Sequence, residues 1–266
     1  MLTRLLSALG GSAVSFAVYV GDVVMLAVET IGAAVAHKIR WRLFLRQIVE
    51  IGLRSQVVVM ITGAFTGAVF AAQTYFQFNK LGMGSAVGAV VSVSVCRELG
   101  PVLTALMVTG RVGASMSAEI GTMKVTEQID ALRALAVHPI DYLVVPRTLA
   151  MMVSMPLLVA ESISFGLVAA YLVGVHGFDI PYRWFVDHLV QHTNIEDLAT
   201  GMIKGLVFGI IITVVSCHQG LSAEEGAVGV GRGTTSAVVI SSLALLISNF
   251  FLSILLNYFF PIGSGL

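Results

Sequence analysis

The sequence predicts an all-α integral membrane protein. Hydrophobic residues fill 57% of its 266 positions and charged residues only 11%, whereas about a quarter of the residues in a soluble domain are charged. The chain lacks the alternating segments of roughly ten residues that are typical of β-barrel strands, and its 27 glycines suit close helix packing in lipid. Acidic and basic residues balance at 15 each, so no nucleic-acid partner is expected.

The N-terminal segment, residues 3–36, is predicted to be a helix lying at the cytoplasmic face of the membrane. It is largely apolar, but Ser15, Asp22 and Glu29 recur at seven-residue intervals and therefore share one helix face. Two carboxylates make a simple span costly, although a true span is the alternative. A basic cluster at 37–46 follows, which is typical of a cytoplasmic membrane edge.

Five later segments are apolar and long enough to cross the membrane. Their predicted bounds are 47–78, 84–117, 149–173, 198–218 and 235–260. Small residues recur every fourth position in three of them, as at Gly201, Gly205 and Gly209, which indicates helix-packing faces.

Lysine and arginine concentrate on one side of these spans, which places the N-terminus in the cytoplasm and the C-terminus outside. The polar segment 176–197 is then a connection on the outer side.

Residues 118–136 have the pattern of an amphipathic surface helix between the second and third spans. A helix resting on lipid headgroups would be more uniformly basic, so we favour a docking helix for a cytoplasmic partner. The candidate docking residues carry charges of both signs or an amide: Glu119, Lys124, Glu127, Gln128, Asp130 and Arg133.

Four ionisable residues are predicted to share one layer of the membrane. Counted from the cytoplasmic end of each span at about 1.5 Å per residue, Glu98, Glu161 and Lys204 each lie roughly 20 Å up, with Arg97 beside Glu98. Each alone would cost at least about 2.5 kcal/mol in hydrocarbon, so they need partners on other helices.

Adjacent residues point about 100° apart on a helix, so Arg97 and Glu98 are poorly placed to pair with each other. We therefore expect Arg97 to pair with Glu161 and Glu98 with Lys204, lining a polar cavity open to the outside. A purely structural ion-pair network is the alternative. Pro101 and the segment 110–113 mark predicted bends in the same helix.

The chain contains no phosphate-loop motif GxxxxGK[ST], so ATP-driven work would need a separate motor protein. The two cysteines lie in or at the end of apolar runs without metal-ligand spacing, and are expected to be structural thiols. An ion-coupled secondary carrier using Glu98 or Glu161 is the competing hypothesis, although no inverted repeat is evident.

Four stretches carry a resemblance to a known family. RELGPVLTALMVTGRVGASMSAEIGTMKVTEQIDAL begins at Arg97, HP and VVPR follow, and GVGRGTTSAVV begins at Gly229. The chain resembles the MlaE-type (YrbE-like) permeases of bacterial phospholipid ABC transporters over nearly its whole length.

The resemblance implies a non-enzymatic transport subunit in the bacterial inner membrane. It implies a homodimer, two cytoplasmic ABC ATPase subunits that bind ATP and Mg²⁺, and a periplasmic ring of MCE-domain lipid carriers. The substrate implied is a glycerophospholipid, and the process is maintenance of outer-membrane lipid asymmetry. In such a complex the N-terminal helix is an interfacial elbow, and Glu119 to Arg133 is the coupling helix on the ATPase. Arg97, Glu98 and Lys204 match the charged cavity lining, whereas Glu161 lies where members vary.

Overall fold

The computed structural model describes residues 2–36, 40–224 and 226–261, and these residues are helical apart from short connections. Residues 37–39 of the predicted basic cluster lie outside the described residues. The α-helices are α1 (Leu2–Ala36), α2 (Trp41–Ile51), α3 (Gln56–Asn79), α4 (Val87–Ser94), α5 (Gly100–Val108), α6 (Ala114–Val125), α7 (Gln128–Ala134), α8 (Val145–Leu172), α9 (Tyr182–His192), α10 (Ile195–Leu221) and α11 (Gly226–Phe259). π-helical turns occupy Val95–Leu99, Thr109–Gly113, Ile140–Val144 and Val173–Gly177.

Within the described residues, six helical segments are long and apolar enough to cross a membrane. They are Ala17–Ala36, Trp41–Asn79, Val87–Val125, Ile140–Gly177, Ile195–Leu221 and Gly226–Phe259. The last five correspond to the five predicted spans, and the first lies in α1. Of the α1 side chains that the structure describes, only Leu26 and Thr30 are buried, so α1 is peripheral to the bundle. Its interfacial position stays a prediction.

The bundle is held together by close backbone approaches along α8 and α10. A Cβ atom added at Gly67 of α3 would collide with the backbone of Gly166 in α8, so only glycine permits this contact. On its other side α8 packs against α10, and Met151, Met155, Phe208 and Ile212 meet there in a fully buried core. This packing fixes the position of α10 against α8, and Asp197 and Lys204 project from α10.

The single helix predicted over 118–136 is two helices. α6 continues the preceding span to Val125, Glu127 adopts a left-handed conformation with φ of 59°, and α7 follows. Ile120 and Ile129 are both fully buried in one cluster. In a straight helix these two residues would point in opposite directions, because nine residues at 100° each amount to two and a half turns. The break at Glu127 lets both side chains reach the core.

The polar connection predicted over 176–197 also contains regular structure. It includes the helix α9, and α10 begins within it at Ile195. Asn194 and Asp197 form a capping box at this helix start, in which the Asn194 backbone N–H donates to Asp197 Oδ2 over 2.9 Å. Asp197 therefore belongs to the first turn of α10.

Candidate functional site

The site is built where the helix from Val87 changes its winding. Pro101 lacks the N–H group that a regular helix would direct to the carbonyl of Arg97, and the turn Val95–Leu99 is π-helical, closed by the Gly100 N–H on the Val95 carbonyl. The second π turn, Thr109–Gly113, covers the other predicted bend. π-helical turns are rare in proteins, but those that occur are often found at functional sites. The turn Val95–Leu99 leaves the Arg97 carbonyl available to another helix.

Lys204 of α10 uses that carbonyl. Its side chain has no exposed surface, and its ammonium donates to Arg97 O over 2.9 Å, to Glu98 Oε1 over 2.8 Å and to Ser253 Oγ over 2.7 Å. All three N–H donors of the ammonium are thus used within the protein. The ion pair that the sequence predicted between Glu98 and Lys204 is confirmed.

The predicted pairing of Arg97 with Glu161 is wrong. Arg97 Nε instead donates to Asp197 Oδ1, and the two side chains are only 7% and 5% exposed. The guanidinium also donates to the Phe260 carbonyl over 2.9 Å and lies 3.4 Å from Asn257 Oδ1. Asp197 stands seven residues, or two helical turns, before Lys204, so one face of α10 supplies both counter-charges.

Glu98 is the most exposed of the four paired side chains Arg97, Asp197, Lys204 and Glu98. Its side chain is 45% exposed, and its carboxylate accepts hydrogen bonds from Asn249 Nδ2 over 3.1 Å and from Ser253 Oγ over 2.9 Å. Asn249, Ser253 and Asn257 follow at four-residue intervals and so form a polar stripe on α11. The sequence reasoning missed this stripe because the span carries no charge, although its spacing in an apolar helix was a usable signal.

Glu98 and its neighbours form the floor of a cavity of about 470 Å³. The cavity is lined by Val93, Ser94, Arg97, Glu98, Thr200, Lys204, Phe250, Ser253, Ile254 and Asn257. Phe250 and Ile254 supply exposed apolar walls, whereas Thr200 is buried and its hydroxyl has no hydrogen-bond partner among the described residues. The cavity thus joins a charged floor to apolar walls.

Gly201 allows α10 to come this close. A Cβ atom at this position would collide with the carbonyl oxygen of Cys96, inside the π turn. Its place between Asp197 and Lys204 makes it the contact point from which both side chains reach Arg97 and Glu98.

Glu161 stands apart from the cavity. Leu157, Phe165 and Val168 of α8, which lie around it on the helix surface, are exposed. The side chain of Glu161 makes no hydrogen bond or ion pair with any other described residue. The structure therefore brings together Arg97, Glu98 and Lys204 of the four predicted cavity residues, and Glu161 is not with them.

The predicted docking residues lie at and beyond the C-terminal end of the helical segment Val87–Val125, which also carries Arg97 and Glu98. Glu119 forms an ion pair with the buried Arg147 of α8 over 2.8 Å. Arg133 of α7 lies 2.9 Å from the carboxylate of Asp130 in the same helix, and Lys124 of α6 lies 4.0 Å from it.

The remaining docking residues flank the break between α6 and α7. Gln128 donates to Thr126 Oγ1 over 3.0 Å, and Glu127 is exposed at the break itself. Only Ile129 of α7 is buried, so most of this short helix is available at the surface.

No group of three or more His, Cys, Asp and Glu side chains is placed to hold a metal ion within the described residues. Both cysteines are buried free thiols. The ionised side chains of the cavity can thus bind and orient a polar group, but they do not include a nucleophile paired with a base.

Comparison with known proteins gives a consistent result. A family model described as Permease MlaE matches residues 44–255. A probable ABC transporter permease protein of Rickettsia conorii is 42% identical over 95% of this chain and 98% of its own length. A probable ABC transporter permease protein of Synechocystis is 43% identical over 81% of this chain and 82% of its own. The chloroplastic protein TRIGALACTOSYLDIACYLGLYCEROL 1 of Arabidopsis thaliana is 39% identical over 86% of this chain and 64% of its own.

Proposed function

The chain belongs to the MlaE permease family, and from this we propose that it moves a glycerophospholipid between the inner membrane of a bacterium and a periplasmic MCE-domain carrier. It is a multi-pass membrane protein and a permease subunit of an ABC transporter. In the proposed process, transport of this lipid maintains the asymmetry of the outer membrane.

The observation that carries the proposal is the cavity around Glu98. A phospholipid needs a polar place for its headgroup and an apolar place for its acyl chains. The exposed carboxylate of Glu98, held in place by the buried Lys204, supplies the first. The exposed side chains of Phe250 and Ile254 supply the second. Ionised side chains inside a membrane span are costly, and where they occur they usually mark a pathway or a binding site. This favours a role in transport over a structural one.

The energy for transport is proposed to come from a separate ATPase. The sequence has no phosphate-loop motif, so ATP and Mg²⁺ would be bound by the partner subunit. We place its docking surface on the exposed side of α7 and the end of α6, where charges of both signs suit a polar protein contact. Glu119 ties this surface to Arg147 of α8, which supplies a route for movement into the bundle.

The proposed assembly contains two copies of the chain, two ATPase subunits and a periplasmic MCE ring. The N-terminal helix α1 is proposed to lie at the cytoplasmic interface, which leaves five spans and puts the C-terminus in the periplasm.

The ion-coupled carrier is not favoured, because Glu98 is paired with Lys204 and Glu161 lies away from the cavity.

The test is reconstitution of the purified chain with its co-expressed ATPase and MCE proteins. Fluorescent phospholipid should pass between proteoliposomes and the carrier only when ATP is present. Lys204→Met should stop this transfer, whereas Glu161→Gln, at a similar predicted depth but outside the cavity, should leave it near the wild-type rate. Transfer driven by a proton gradient without an ATPase would overturn the proposal.

A further inference from the structure

The charge that the cavity presents to a ligand is negative. Both cations of the floor are used within the protein: Lys204 has no exposed surface and donates all three of its hydrogen bonds internally, and the 7% exposed side chain of Arg97 faces Asp197. Glu98, by contrast, is 45% exposed. A headgroup entering the cavity therefore meets a carboxylate before it meets a cation.

Glu98 also has room for another donor. Oε1 accepts from Lys204 and Ser253, while Oε2 accepts from Asn249 over 3.1 Å and lies 3.2 Å from Ser253 Oγ. The single hydroxyl proton of Ser253 cannot serve Oε1, Oε2 and the Asn249 carbonyl, which lies 2.8 Å away, at the same time. A carboxylate offers about four acceptor sites, so Oε2 keeps one for a donor from the ligand.

We propose that the cavity recognises the primary ammonium of a zwitterionic phospholipid headgroup, of the phosphoethanolamine type, through Glu98. This inference rests on the proposed transport of phospholipid through the same cavity. A primary ammonium supplies both a positive charge and N–H donors, one of which fits the acceptor site that Oε2 of Glu98 leaves open. A trimethylammonium headgroup supplies the charge without a donor, and a glycerol headgroup supplies hydroxyl donors without the charge.

The charge balance of the floor favours the same class of lipid. Arg97 with Asp197, and Lys204 with Glu98, form two pairs whose charges sum to zero. A zwitterionic headgroup keeps that sum at zero. An anionic headgroup would add an uncompensated negative charge beside Glu98, in surroundings of low dielectric constant where repulsion is strong.

Thr200 provides a donor for the phosphate of such a headgroup. Its side chain is buried, lines the cavity one helical turn before Lys204, and its hydroxyl has no partner among the described residues. The phosphate is common to all glycerophospholipids. Thr200 is therefore assigned to lipid retention in general, and Glu98 to discrimination between headgroups.

The experiment uses the purified chain in nanodiscs that contain equal amounts of phosphatidylethanolamine, its mono- and dimethylated forms, phosphatidylcholine and phosphatidylglycerol. Lipids retained after transfer to mild detergent are counted by native mass spectrometry. We expect the wild type to retain phosphatidylethanolamine about tenfold over phosphatidylcholine, the ratio that one charge-assisted hydrogen bond can supply. Retention should fall stepwise as methyl groups replace the N–H donors.

Glu98→Gln should bring the ratio close to one, whereas the matched Glu161→Gln should keep it. Thr200→Val should lower retention of every lipid while leaving the ratio unchanged. The methylation series needs no variant, so it remains decisive even where a substitution prevents folding. Equal retention of all headgroups, or a preference for phosphatidylglycerol, overturns this inference but leaves phospholipid transport standing. A wild-type chain that retains no phospholipid overturns the proposed function itself.

Discussion

Neutralising Asp197 should destabilise the protein far more than neutralising an exposed aspartate. In Asp197→Asn the guanidinium of Arg97 stays buried, with both side chains of the original pair less than a tenth exposed. Breaking a buried ion pair by removing one partner costs about 3–5 kcal/mol. For a chain of this size that corresponds to a fall in melting temperature of roughly 6–20 °C, measured by far-UV circular dichroism in mild detergent.

The control is Asp187→Asn, because Asp187 is exposed on α9, and we expect its melting temperature to change by about 2 °C or less. The double variant Arg97→Gln with Asp197→Asn removes both charges. Its loss should be smaller than the sum of the single losses by at least about 1 kcal/mol. Strict additivity of the two substitutions, or equal effects of Asp197→Asn and Asp187→Asn, would refute the assignment of Asp197 as the counter-ion of Arg97.

Three further outcomes are expected. Lys204→Met should abolish ATP-driven phospholipid transfer, because Glu98 then lacks its cation. Exchanging the two charges, in the double variant Lys204→Glu with Glu98→Lys, should restore part of the rate that Lys204→Glu alone loses. No recovery in the double variant would count against direct pairing. Gly201→Ala should lower stability by about 1–3 kcal/mol through overpacking, whereas Gly231→Ala, whose added Cβ meets nothing within 4 Å, should be neutral or slightly stabilising in thermal melting. Glu119→Gln should increase the ATP hydrolysed per lipid moved without releasing the ATPase, and an unchanged ratio would remove Glu119 from the coupling path.

The spans and the pair between Glu98 and Lys204 were predictable because both depend on distance along a helix axis. Hydropathy is a local property of the sequence, and counting residues from the membrane edge placed Glu98 and Lys204 at one depth. Glu161 lies at a similar predicted depth but on an exposed face of α8. The rotation of a helix about its axis is set by packing, here by the contacts of Gly63 and Gly67 with α8, and a count of depth cannot supply it.

The true partner of Arg97 was missed for a different reason. Composition placed Asp197 at the end of a polar connection, one residue before the predicted span, whereas its capping box with Asn194 starts α10 earlier. An acidic residue three positions after asparagine is a recognisable helix start. That signal would have moved Asp197 into the helix and onto the face of Lys204.

The cavity and the docking surface are connected by one stretch of helix without a loop. From Val87 to Val125 the chain is helical throughout, so a displacement at the end of α6 must either reach Arg97 or be taken up within the helix. Such a helix bends most easily at its two π turns, because their hydrogen bonding departs from the α pattern. Each turn also carries an arginine bonded to another segment, Arg97 to Asp197 and Arg111 to Ser55 over 2.6 Å. A shift of either turn therefore has to break or carry along a contact with a neighbouring helix, which ties movement at the docking surface to the geometry of the cavity floor.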